Sequence, residues 1–219
     1  MCFTADEKEN LKMIRACNPM VNEFFFYKNV LLVEGVTEKI IATHFAEKLD
    51  INLHIIDCLG KANIPMFAKI LNKFKIPYMV IHDSDSPKIK KKDKIQKNPA
   101  WKHNKKIRQE VELNGGSSIY VQIPNFEQQF THTTLTNGKV SNALDIIYHE
   151  NLPEDDTDDV SYKEFCRISY EEAQKAYENF LKGKIQTSQD DFLKRFNQFV
   201  ENINSTLTDD EKLYWQLDE

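Results

Sequence analysis

Four acidic residues in two short stretches carry the chemical interest of this chain. Glu34 and Glu38 stand in "NVLLVEGVTEK" (29–39), and Asp83 and Asp85 stand in "VIHDSD" (80–85). The first stretch is an apolar run that ends on a carboxylate, and an ionised acid at the rim of an apolar layer needs a partner to offset its lost hydration. If the chain passes from strand to helix at Gly35, Glu38 follows one turn into the helix and both acids reach one spot above the strand end. Glycine at that point leaves room for a close approach by backbone or ligand. Asp83 and Asp85 share one side if the backbone stays extended through both, because strand side chains alternate with a period of two. Four ionised carboxylates in one place repel one another, and divalent cations relieve that repulsion. An all-oxygen donor set suits Mg²⁺, Mn²⁺ or Ca²⁺ rather than zinc.

The elements that must position these acids are legible in the hydrophobic pattern. "NVLLVEG" (29–35), "INLHIIDC" (51–58), "YMVIHDSD" (78–85) and "SSIYVQIP" (117–124) read as strands. Between them, 36–50 and 60–74 have the 3.6-residue spacing of amphipathic helices, and a further helix is expected near 99–113. Strands alternating with helices imply right-handed crossovers and a mainly parallel sheet, with ligands at the carboxyl ends of its strands. The fold class is therefore α/β, with about four strands flanked by helices. Residues 7–27 read as two short helices broken at Asn18-Pro19. After Pro124 the chain becomes polar and irregular up to a helix from Val140. An acidic, proline-containing stretch, "NLPEDDTDD" (151–159), precedes two or three aromatic-rich amphipathic helices. The expected organisation is a helical lead-in (1–28), a catalytic domain (29–150), an acidic linker (151–160) and a helical C-terminal subdomain (161–219).

Bulk composition narrows the classes. With 219 residues and 41% hydrophobic content the chain can fill a core. Its apolar runs all fall short of the ~18 residues that cross a bilayer, and its N-terminus lacks the layout of a signal peptide, so no membrane association and a cytoplasmic location are expected. The four cysteines, Cys2, Cys17, Cys58 and Cys166, form no C-x-x-C pair and read as reduced thiols. A formal charge of −5 argues against nucleic acid as an average, but the charge is segregated.

Taken together, "VLLVEGVTEK" and the later "VIHDSDSP" resemble a TOPRIM domain, the Rossmann-like fold shared by topoisomerases, bacterial primases, small ribonucleases and the OLD (overcoming lysogenization defect) nucleases. Glu38, the lead-in "FFFYKNVLLVEG" and the middle "CLGKANIPMFAKILNKFKIPYMVIHDSD" make the OLD type the most similar. The resemblance covers roughly residues 18–150. It implies an endonuclease that hydrolyses phosphodiester bonds with two divalent ions, Mg²⁺ or Mn²⁺, held by Glu34, Glu38, Asp83 and Asp85. It further implies a later glutamate, for which "PNFEQQF" offers Glu127, and a lysine beside the site, for which "NGKVSNALDII" offers Lys139. OLD proteins join this module to an ABC-type ATPase, and no G-x-x-x-x-G-K-[ST] occurs here. The expectation is a C-terminal piece of a longer protein, or an ATPase supplied by a partner, with self-assembly through that ATPase region.

The DNA partner has a candidate footing. Residues 86–108 contain ten Lys or Arg against one acid, Asp93, directly after the Asp-x-Asp. Lys88, Lys90, Lys91, Lys92, Lys94, Lys105 and Lys106 are expected to contact phosphates, and Trp101 to stack on a base. A solvated polar face is the plainer alternative. Lys61 reads as an exposed lysine at a helix start, His82 as a residue facing away from the acids, and Asp57 as either a cap or an outer partner of the site. The rival class is a non-catalytic scaffold that binds nucleic acid or an ATPase; within the fold, topoisomerase and primase are the rival enzymes.

Overall fold

The computed structural model describes residues 26–130, 138–153 and 161–217, with isolated residues 5, 8 and 23. The two helices expected within 7–27 lie outside the described residues but for residues 8, 23, 26 and 27. Apolar runs form β1 (Val30–Val33), β2 (His54–Asp57) and β3 (Met79–Asp83). A lysine-rich hairpin follows, β4 (Lys88–Lys91) and β5 (Lys94–Lys97), and β6 (Ser118–Gln122) returns to the main sheet. The sheet order is β2-β1-β3-β6, and every neighbouring pair is parallel, as expected.

The crossovers fix the layers. Helix α1 (Val36–Lys48) joins β1 to β2, and α2 (Ile64–Lys73) joins β2 to β3, passing back over β1. Right-handed connections running in opposite directions put their helices on opposite faces. Alternation along each strand then feeds two cores. Leu31, Val33, Ile81 and Tyr120 pack with Ile41 and Phe45 of α1, while Val30, Leu32, Val80 and Val121 pack with Phe67 and Leu71 of α2. The strand order reverses between β1 and β3, so a crevice opens at their carboxyl ends, where Glu34 and Asp83 lie.

The remaining helices are α3 (Lys102–Glu112), α4 (Phe126–Phe130), α5 (Lys139–Ile147), α6 (Tyr162–Leu181), α7 (Gln189–Asn204) and α8 (Asp209–Lys212). Ser161 and Ser188 cap α6 and α7, each hydroxyl accepting a backbone N–H three residues on. The helices after residue 161, placed at the sequence level in a subdomain of their own, complete both faces of this sheet. Tyr170, Ala173, Tyr177 and Phe180 of α6 join the α1 layer, and Phe192 and Phe196 of α7 join the α2 layer. Phe196 is 1% exposed, with ring centroids 5.2 Å from Trp101 and 6.2 Å from Trp215. Phe196→Ala is expected to cost about 3–5 kcal/mol in urea unfolding of the whole chain; a loss under ~1 kcal/mol would show that α7 is dispensable to the sheet. No described helix is long and apolar enough to cross a membrane.

Candidate active site

The site is built from the carboxyl ends of β1 and β3 upward. Glu34 follows β1 directly, and its Oε2 accepts the Asp83 N–H at 3.4 Å, which bridges the crevice. Glu38 lies in the first turn of α1, where its Oε2 accepts the Gly35 N–H at 3.1 Å. Its carboxylate therefore also caps the helix that carries it. Asp83 closes β3 and is buried, its Oδ1 accepting the Phe126 N–H at 3.1 Å at the start of α4. The stretch after Pro124, read from sequence as irregular, thus begins with a short helix anchored on this aspartate.

Asp85 reaches the site by a different route from the one expected. The backbone does not stay extended to it: Asp85 has φ +61°, a left-handed conformation that costs a non-glycine residue roughly 1 kcal/mol. The turn is held by the Ser84 N–H donating to the Gln122 carbonyl and the Asp85 N–H to the Pro124 carbonyl. Asp85 remains close enough to raise the proton affinity of both Glu34 and Asp83.

Electrostatics show how tightly the acids are gathered. Burial pushes Glu34 up to about 7 from its ordinary 4.5, with Asp85 and Glu38 adding to the rise and Lys61 opposing it. Burial, then Glu38, Glu34 and Asp85, hold Asp83 well above the usual carboxylate range, against the pull of Lys139. Glu38 is raised mainly by burial, partly offset by backbone N–H groups. Such a set fits a hard divalent cation in its donor chemistry, since neutralising it restores the ionised form of each acid. Among the described residues no three His, Cys, Asp or Glu groups stand close enough to hold an ion as they are. Their oxygens are engaged internally instead, Asp85 by Lys61, Glu38 by the Gly35 N–H and Glu127 by Lys139.

Glu127 is buried on α4, and Lys139 opens α5, its Nζ 3.3 Å from Glu127 Oε1. Burial draws the Lys139 ammonium down, but Glu127, Asp83 and Glu38 outweigh it and its pKa is raised. Both residues therefore sit at the same edge as the four acids. Asp57 closes β2, and its Oδ1 accepts the Leu59 N–H at 2.8 Å. His82 is fully buried with one ring nitrogen 2.7 Å from the Asp83 carbonyl oxygen, and burial lowers its pKa to about 3.

Lys61 is the residue that sequence reasoning misplaced. Instead of standing exposed it is 4% exposed, with Nζ 2.6 Å from Asp85 Oδ2 and 3.0 Å from the Ser84 carbonyl. A single Gly-Lys after a strand gave no sign of which way the side chain points; Gly60, directly before it, has a φ of +111° that favours glycine.

Residues 25–85 match the model of the overcoming lysogenization defect protein-like TOPRIM domain. The matched segment contains β1 to β3 and all four acids, and it stops before Glu127 and Lys139. A curated relative, the OLD nuclease of Thermus scotoductus (strain ATCC 700910 / SA-01), is 33% identical over 69 residues. The alignment takes in 29% of this chain and 13% of that protein. The parallel order β2-β1-β3-β6 with helices on both faces is consistent with a TOPRIM fold.

The basic segment beside the four acids takes a shape that its sequence did not announce. β4 and β5 are joined by Lys92-Asp93, both with positive φ (49° and 59°), as a two-residue type I′ hairpin requires. Lysine is a poor strand former, which is why composition gave no sign of strands here. Cross-strand partners share a face, so Lys88, Lys90 and Lys97 line one side and Lys91 and Lys94 the other. The hairpin base is tied to the site, because Asn98 donates to the Ser86 carbonyl and Asn104 to the Ser84 carbonyl. Lys105 and Lys106 are exposed on α3. Trp101, expected to stack on a base, is instead half-buried against Phe192 and Phe196, at 6.0 and 5.2 Å between ring centroids. Its ring is taken up by the core because α7 covers this face of the sheet.

Proposed function

We propose that this chain is the catalytic module of a divalent-metal-dependent DNA endonuclease. The observation that carries the reading is the meeting of Glu34 and Asp83 at the strand-order reversal, with the charges of Glu38 and Asp85 near enough to add to the burial that raises the pKa of both. The TOPRIM match over these four residues and the name of the curated relative support it. Glu34, Glu38, Asp83 and Asp85, with Glu127, would hold Mg²⁺ or Mn²⁺. When bound, such ions supply an activated water and offset the charge that develops on the phosphate and the departing oxygen. The chain's own part is to fix the carboxylates: Glu34 against the Asp83 amide, Asp83 against α4, and Glu38 at the head of α1. Lys139 stands beside them as a cation for the scissile phosphate. An ABC-type ATPase, in the same full-length protein or on a partner, belongs to this proposal through the resemblance alone.

The test is plasmid nicking by the purified chain with Mg²⁺, Mn²⁺ or chelator. Open circles with metal and none with chelator are expected. The scaffold reading, favoured by the absence of a ready-made three-ligand cluster among the described residues, requires unchanged plasmid in every lane.

The hairpin supplies a separate expectation about DNA. Reversing Lys90, Lys91 and Lys94 to Glu should weaken binding and reduce the slope of log K against log[salt] by about 2 to 3, since each phosphate contact contributes roughly 0.9. Fluorescence anisotropy of a labelled duplex over a salt series checks it, and an unchanged slope would place the DNA elsewhere.

A further inference from the structure

Lys61 is delivered to the site by a loop with little freedom. Leu59 and Gly60 both have positive φ, 56° and 111°. Asp57 Oδ1 accepts the Leu59 N–H at 2.8 Å, the Gly60 N–H donates to the Glu34 carbonyl at 2.7 Å, and the Asn63 amide donates to the Cys58 and Leu59 carbonyls at 3.0 Å. Burying an ammonium is costly unless it is paired and hydrogen-bonded. Two of its three donors are met, by Asp85 Oδ2 and the Ser84 carbonyl, and its charge also acts on Glu34. At 2.6 Å it lies against the carboxylate oxygen that a divalent ion would need at 2.0–2.6 Å. One oxygen cannot serve both cations from the same direction.

We propose that Lys61 competes with a second divalent ion for Asp85, so that the chain takes up its ions in two unequal steps. This rests on the metal-dependent reading above. The first ion enters among Glu34, Glu38 and Asp83, which among the described residues hold no lysine at hydrogen-bond distance. The second binds only as the Lys61 ammonium leaves Asp85, and its affinity is lowered by the ion pair it must break.

Mn²⁺ binding to the whole chain tests this, with free Mn²⁺ counted by electron paramagnetic resonance and bound ions by native mass spectrometry. Wild type is expected to bind a second ion at least ten-fold more weakly than the first. Lys61→Gln should tighten the second step at least ten-fold and leave the first within about three-fold, while Lys61→Arg, which keeps the charge, leaves the second step weak. An unchanged or weaker second step in folded Lys61→Gln overturns the inference. Should that variant not fold, Asp85→Asn serves instead: loss of the second step alone supports the inference, and two intact steps overturn it. A two-step isotherm insensitive to Lys61 sinks this inference and leaves the metal-dependent reading standing, whereas no Mn²⁺ bound at millimolar concentration sinks both.

Discussion

Asp83→Asn is expected to reduce metal-dependent plasmid nicking to the level of wild type in chelator while the protein stays folded. Asparagine keeps an oxygen for the Phe126 N–H that Asp83 Oδ1 now accepts at 3.1 Å, so the start of α4 retains its anchor. It removes the carboxylate that faces Glu38, Glu34 and Asp85 at once. A carboxylate shared among so many neighbours contributes to every arrangement in which the acids hold an ion, so no partial activity should survive. Stability should move the other way. The neighbours and the burial that raise Asp83's pKa disfavour its ionised form, and asparagine never ionises, so the variant should melt at the same temperature or higher at pH 8 without metal. DNA affinity should fall only slightly, because the phosphate contacts proposed for the hairpin and α3 would not pass through Asp83. Wild-type nicking by folded Asp83→Asn would end the endonuclease assignment for this site, and loss of nicking with collapse of the fold would be uninformative unless the milder Glu34→Gln also lost it.

Legibility in the sequence followed the range of each signal. The sheet could be read because strand alternation and helix periodicity are local patterns that the tertiary fold reinforces: Leu31 and Val33 face one core, Val30 and Leu32 the other. The four acids could be read because each falls where an apolar run stops. Lys61 could not, since its direction depends on two positive-φ residues and on an ion pair with a partner 24 residues away. The hairpin at 88–97 was hidden because composition argued against strand at every lysine, while the register and a two-residue turn imposed it. Trp101 was misjudged for the same kind of reason: its neighbours Phe192 and Phe196 lie some ninety positions later, and no local pattern reveals that α7 returns to cover the sheet.

The second large effect concerns pH. Glu34→Gln should stabilise the metal-free chain by an amount that grows as pH rises from about 4.5 to about 7 and then levels off. Glu34's folded-state pKa is raised, chiefly by burial, from 4.5 to about 7, so between those values the folded chain holds a proton that the unfolded chain has released. Stability then falls with rising pH across that window, by roughly 2–3 kcal/mol once residual contact with solvent is allowed for. Glutamine keeps an acceptor for the Asp83 N–H but cannot ionise, which removes this slope. His82 acts with the opposite sign: its folded pKa, lowered by burial to about 3, makes stability fall as pH drops below 6.5. That slope is common to both proteins and cancels in their difference, so the difference in unfolding free energy is the quantity to measure, by urea titration at several pH values in chelator. Divalent ions should reverse the ranking. Where Glu34 must ionise to bind them, Mn²⁺ should raise the melting temperature of wild type more at pH 8 than at pH 5 and that of Glu34→Gln little at either, because a ligand selective for the folded state adds about 2.7 kcal/mol at a hundred times its Kd. A difference between the two proteins that stays flat from pH 4.5 to 8 would show that Glu34 ionises as freely in the fold as in the unfolded chain, and the crowding of carboxylates on which the metal-dependent reading depends would be lost with it.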